Sequence, residues 1–169
     1  MSSQKINTDA VENEGLPTPE EVLMDEDTLL KGILEASKFK TDTENQKLIQ
    51  IRRKGKLLFQ FHVRPLEEDE VQTCRKQATK FMANPQNRHL KMEVDVDYVK
   101  LRSLKIYTAT VENDRAKTWD NPALKDKLNA ITGADVIDKV LMAGEKDEIC
   151  DAIDDISGYN TSLEAAAKN

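Results

Sequence analysis

Between residues 46 and 66 the chain reads QKLIQIRRKGKLLFQFHVRPL, and apolar and polar positions alternate along it. Ile49 and Ile51 alternate with Gln50 and Arg52. Leu57, Phe59, Phe61 and Val63 alternate with Leu58, Gln60, His62 and Arg64. A period of two places one set on a single face of a strand. Arg53-Lys54-Gly55-Lys56 supplies the turn, with Gly55 able to take positive φ. The pattern predicts a β-hairpin over residues 46–64, which needs helices over its apolar face to be stable.

Elsewhere the period is helical. TPEEVLMDEDTLLKGILEASKF opens on Thr18 as an N-cap and Pro19 at the first helical position, with Leu23, Leu30, Ile33 and Leu34 near one face. It reads as one helix, or as two pieces broken around Asp25–Asp27. Pro65 opens PLEEDEVQTCRKQATKFM, acidic at its start and basic toward its end as the helix dipole favours, with Val71, Cys74, Ala78 and Phe81 on one buried stripe. ANPQNRHLKME is a polar break. Asp97 caps a helix reaching about Val111, and ENDRAKTWD reads as a polar loop that carries Trp119. Three short helices follow: PALKDKLNAIT behind Asn121-Pro122 and closed by Gly133, VIDKVLMA capped by Asp135 and closed by Gly144, and EKDEICDAIDDIS closed by Gly158. The predicted fold is α+β, mainly α, with an N-terminal β-hairpin packed against a compact bundle of about five short helices. Residues 1–18 read as a flexible acidic tail, 19–160 as a single domain and 161–169 as a C-terminal tail.

Composition narrows the class. The chain has 169 residues, 38% hydrophobic and 5% aromatic, so its core is modest and aliphatic. No apolar run approaches the roughly 20 residues of a membrane span. MSSQKINTDAVENEG lacks the apolar centre of a signal peptide. Cys74 and Cys150 lie far apart without metal-binding spacing, which fits a reducing compartment. The expectation is a soluble intracellular protein.

The net charge of −6 is uneven: −7 over residues 1–27, +7 over 47–91 and −5 over 145–155. The basic middle alternates with apolar strand residues and lacks stacking aromatics, and both ends are acidic, which argues against nucleic acid and for self-neutralisation or a protein partner. In DEICDAIDDIS the spacing of Ile149, Ile153 and Ile156 is that of a helix face, with Asp147, Glu148, Asp151, Asp154 and Asp155 around the remainder. A calcium loop needs alternating oxygens on extended backbone with a turn glycine. There is no phosphate-binding glycine loop, no HExxH, no GxSxG and no Cys/His quartet, and the histidines are only His62 and His89. No catalytic residue, metal or cofactor is expected.

The order of elements resembles a known family. A hairpin runs into Arg64, Pro65, Leu66 and Glu70, a middle helix follows, and a closing block carries Leu124, Leu128, Gly133, Ala134, Val140, Leu141, Gly144, Glu145, Ile149, Ile156, Gly158 and Tyr159. Over about residues 46–160 this is similar to the XkdN-like tail assembly chaperones of phages and prophages of Gram-positive bacteria. The 112–120 segment is longer and more polar than the family pattern. The resemblance implies a non-catalytic protein of the host cytoplasm, absent from the mature virion. It would bind the tape measure protein, and the tail tube protein as a further candidate, and keep the former soluble during tail assembly. It implies an apolar groove rimmed by charge, for which Tyr98, Ile106, Tyr107, Trp119 and Met142 are candidates, with Asp147, Asp151 and Asp154 as acidic contacts. The ending Ala167-Lys168-Asn169 can be encoded over a slippery heptamer, so a longer frameshifted product is a further expectation. Other readings are a virion tail structural or connector protein and, below it, a small nucleic-acid-binding regulator. Homo-oligomerisation is compatible with each.

Overall fold

The computed structural model describes residues 25–41 and 45–159. The predicted tails at 1–18 and 161–169, the Thr18-Pro19 cap and Leu23 lie outside the described residues. The chain divides into two compact units, Met1–Asp42 and Thr43–Asn169.

The first unit contains helix α1, Glu26–Thr41. It begins where the sequence suggested a break. The Asp25 carbonyl accepts from Leu29 N at 3.0 Å, and its carboxylate accepts from Thr28 Oγ1 at 2.5 Å, so Asp25 caps the start of this helix.

In the second unit the elements are β1 (Lys47–Arg53), β2 (Lys56–Val63), α2 (Glu68–Ala78), β3 (Thr79–Ala83), β4 (Lys91–Val96), α3 (Tyr98–Ala109), α4 (Glu112–Lys117), α5 (Pro122–Leu128), α6 (Gly133–Val140) and α7 (Ala143–Ile156). The α+β, mainly α class holds, and the first hairpin forms where alternation placed it. β1 and β2 are antiparallel, with Ile49 opposite Phe61 and Gln50 opposite Gln60. Lys54 and Gly55 both have positive φ, +51° and +76°, the backbone that a two-residue hairpin turn requires. Ile49, Ile51, Phe61 and Val63 are buried, whereas Leu57 is exposed. β2 is tied to the helices by backbone bonds: Val111 N donates to His62 O at 3.0 Å and Arg64 N to Ala109 O at 2.8 Å.

Five local expectations are corrected. α2 starts at Glu68 with Glu67 as cap, not at Pro65, and stops at Ala78. The remainder of its predicted span becomes β3, which pairs with β4 as a second hairpin, so Phe81 leaves the buried stripe and is 45% exposed. Strand pairing across the loop wins over helix continuation there. Residues 112–117 form α4 rather than loop; acids at its start and Arg115 and Lys117 at its end suit the helix dipole. α5 ends four residues before Gly133, at Asn129 in the left-handed region. Gly133 instead opens α6, whose cap is Thr132, with Asp135 as the reciprocal partner in a capping box. The glycine is needed because a Cβ there would overlap the Tyr107 ring. Gly144 likewise lies inside the first turn of α7 and closes no helix.

The core joins the apolar face of the hairpin to α3, α6 and α7 through Ile106, Ala109, Val136, Ile137, Ile149 and Ile153. Trp119 fills the junction. It is 1% exposed and meets Phe61 and Phe59 edge-on, with ring centroids 5.2 and 6.1 Å away. Trp119 lies in the turn after α4, as a loop residue would, but it belongs to the core and is not an open groove residue. Its neighbours in sequence are polar, but α4 turns the indole back onto β2.

Candidate partner-binding site

Helices α2, α3, α5 and α6 enclose an open groove of about 870 Å³. Asp97 caps α3 by accepting from Lys100 N at 3.1 Å, and Asn121 caps α5 with Pro122 at its first position. These caps fix the two helix ends that border the groove. Its floor includes Leu104, Tyr107 and Gly133, while Val99 and Ile131 stand on its rim, 51% and 86% exposed. Tyr98, next to Val99 at the start of α3, is 67% exposed. Tyr107 is held from both sides: its hydroxyl donates to the Asp120 carboxylate at 2.9–3.0 Å, and the Arg115 guanidinium lies 4.9 Å from its ring centroid. Burial, and next the Asp120 carboxylate, push the phenol pKa above its ordinary value.

The second hairpin leads directly into α3, with Asp97 N donating to Ala78 O at 2.9 Å. It displays Phe81, Met82, Leu90, Met92 and Val94, each at least 42% exposed, and Met82 stands opposite Met92 across the ladder. Methionine and phenylalanine on an exposed ribbon form an adaptable apolar surface.

The sequence candidates are dispersed by the fold. Tyr107 lines the groove from α3; Tyr98, on the same helix beside Val99, is exposed but is not part of the lining. Ile106 and Trp119 are buried core. Met142 is 59% exposed at the start of α7, away from the groove lining. The acids of α7 divide similarly: Asp147 pairs with Arg102, Asp154 with Lys105 at 2.7 Å, and Asp151 remains exposed. Beside them the Lys146 ammonium is buried against the Asp138 carboxylate and donates to Ser103 Oγ at 2.9 Å. Much of the acidic face thus ties α7 to α3 and α6. Val99, Ile131 and the second hairpin were not anticipated as surface features. The signal for the hairpin was present in Met92, Val94 and Val96 alternating with Glu93 and Asp95.

Among the described residues no group of histidine, cysteine and carboxylate side chains is arranged to hold a metal ion. No described helix is long and apolar enough to cross a membrane. The geometry is that of a helical binding protein with open apolar surfaces. The chain belongs to the phage XkdN-like tail assembly chaperone protein family, whose model matches residues 28–168. The match extends beyond the 46–160 span of the sequence resemblance and takes in nearly all of α1. No curated protein and no solved structure matches the chain. Family membership supports a role in tail assembly through interaction with tail proteins.

Proposed function

We propose that this tail assembly chaperone binds the tape measure protein non-catalytically and keeps it soluble until the tail tube encloses it. The observation that carries this reading is the groove with Val99 and Ile131 exposed on its rim, adjoining the methionine-bearing second hairpin. A long helical client has apolar stripes that aggregate unless covered. Amphipathic helices dock into such grooves through anchors spaced at i, i+3, i+4 and i+7. Tyr98 and Tyr107 remain in the site under this reading; Ile106 and Trp119 act as its support from within. Asp151, exposed on α7 outside the groove lining, would be an acidic contact for the partner beyond the groove. The tail tube protein is the second partner, the site of action is the host cytoplasm, and the chaperone is absent from the finished virion. A frameshifted product sharing residues 1–169 would carry the same groove into a longer chain.

The test is co-expression of the tagged protein with the large tape measure gene product, followed by affinity capture and mass spectrometry. Capture of the large protein, and its precipitation when the chaperone is omitted, supports the reading. Val99→Lys with Ile131→Lys should leave the fold intact, since both side chains are exposed, and should return the client to the pellet. If the large protein is equally soluble alone, or if this chain is instead found in purified tails, the reading fails.

A further inference from the structure

A second surface is lined by elements other than those of that groove. Residues Lys47–Arg52 of β1 and Glu145, Glu148, Ile149 and Ala152 of α7 border a trough of about 370 Å³. β1 and α7 are tied near either end of this strand, by Arg53 bonded to Glu145 at 2.7 Å and by Asn45, whose side-chain amide donates to Ile156 O at 3.3 Å. The ladder turns alternate backbone groups of β1 outward, toward this trough. His62 stands opposite Leu48, and both its backbone groups point away from β1: its N–H donates to Asp114 Oδ2 at 2.7 Å and its carbonyl accepts from Val111 N. In an antiparallel pair, opposed residues either exchange both bonds or turn both outward. Leu48 therefore turns its N–H and C=O outward, and so does Gln50 two positions on. Among the described residues no backbone group meets them.

We propose that this edge accepts an extended segment of a partner polypeptide, which adds as a third strand between β1 and α7. Backbone bonds to Leu48 and Gln50 would supply affinity, and alternate side chains would supply selectivity. Side chains on the core-facing side of the added strand meet Ile149 and Ala152, so that face is apolar. Glu148 lies on the exposed rim of α7, and the exposed Asp151 follows it at helical spacing, so the segment carries lysine or arginine on that side. A second copy of this chain is the poorer occupant. Pairing through the same edge would turn its α7 toward this one and set Glu148 rim against Glu148 rim. The inference is independent of the helix-binding groove and extends the recognition from helical to extended segments.

The test uses the full chain and a synthetic peptide of alternating valine and lysine, about seven residues long to match β1 at ~3.3 Å per residue. Hydrogen exchange followed by NMR should show the Leu48 and Gln50 amides unprotected in the free protein and protected with peptide. A peptide N-methylated at alternate amides should not bind. Gln50→Pro removes an outward N–H that the hairpin does not use, so the fold should survive while affinity falls about tenfold or more. Glu148→Lys should reverse the preference toward a valine–glutamate peptide, a readout that a loss of folding would not produce. The proposal is overturned if the peptide leaves both amides unprotected. It is also overturned if they are already protected in the free protein, with light scattering then telling a second copy from the chain's own residues as the occupant.

Discussion

The indole Nε1 of Trp119 donates to Oγ1 of Thr110 at 2.9 Å, with both residues fully buried. Thr110 Oγ1 in turn donates to Ile106 O at 2.7 Å, and Val63 bridges to the Thr110 backbone. Thr110 thus joins three parts of the core: its hydroxyl links the end of α3 to the segment after α4, and its backbone meets the hairpin. Thr110→Val keeps the shape but leaves the indole N–H without a partner, which should cost about 1–3 kcal/mol. Trp119→Ala should cost about 3–5 kcal/mol through lost burial and the cavity left behind. The double variant should cost less than the sum, since the indole–hydroxyl bond that each single change breaks can be lost only once. Urea unfolding followed by far-ultraviolet circular dichroism gives all three values. Simple additivity would mean that the bond contributes nothing.

That relationship also marks where sequence reading stops. The first hairpin was legible because its alternation is long and its turn carries a glycine. The caps at Asp97 and Asn121 were legible because a capping side chain acts within three residues. Trp119 was not, because everything that buries it comes from β2 and from the end of α3. The second hairpin was masked by an acidic and basic surface on short strands, and by an α2 pattern that continues unbroken past Ala78. The groove was illegible for a related reason. Val99 and Ile131 are 32 positions apart and each looks like an isolated apolar residue near a cap. Only the packing of α3 against α6 makes them neighbours of one concavity.

Lys146 presents the opposite problem, a charge placed where the helix pattern allows burial. Its ammonium is 4% exposed as a residue, held by the Asp138 carboxylate and Ser103 Oγ. Removing the carboxylate with Asp138→Ala leaves that ammonium buried beside a single hydroxyl, and should cost about 3 kcal/mol, the lower end for a broken buried pair because Asp138 is partly wet. Lys146→Met with Asp138→Ala replaces the pair by apolar volume and should recover most of the loss. Denaturant midpoints of the single and double variants decide this. If the double variant is as unstable as Asp138→Ala alone, the lysine's charge is not what makes the single change costly.

The titration of three carboxylates and one thiol sets the pH range of stability from both sides. The Arg64 guanidinium, bonded to Glu70 at 2.7 Å, holds the Glu70 carboxyl below its ordinary value. At Asp114 burial pushes upward, but the His62 backbone N–H and ring outweigh it and the net direction is down. At Asp135 the Thr132 N–H lowers the value. Groups with lowered folded values contribute stability that is present above the unfolded carboxyl range, about pH 4–4.5, and lost as pH falls through the folded values. Arg64→Gln should therefore lower the melting temperature at pH 7 and lower it much less at pH 3.

On the alkaline side burial pushes the Cys150 thiol up to about 11. The unfolded thiol ionises first, near pH 8.5, so the unfolded state binds fewer protons above that pH and stability falls as pH rises toward the folded value. Cys150→Ala should flatten that decline between about pH 8.5 and 10.5, even though it loses packing at every pH. Thermal melts of the parent and the variant across that window give the slope directly. An unchanged alkaline slope would mean that Cys150 titrates alike in both states.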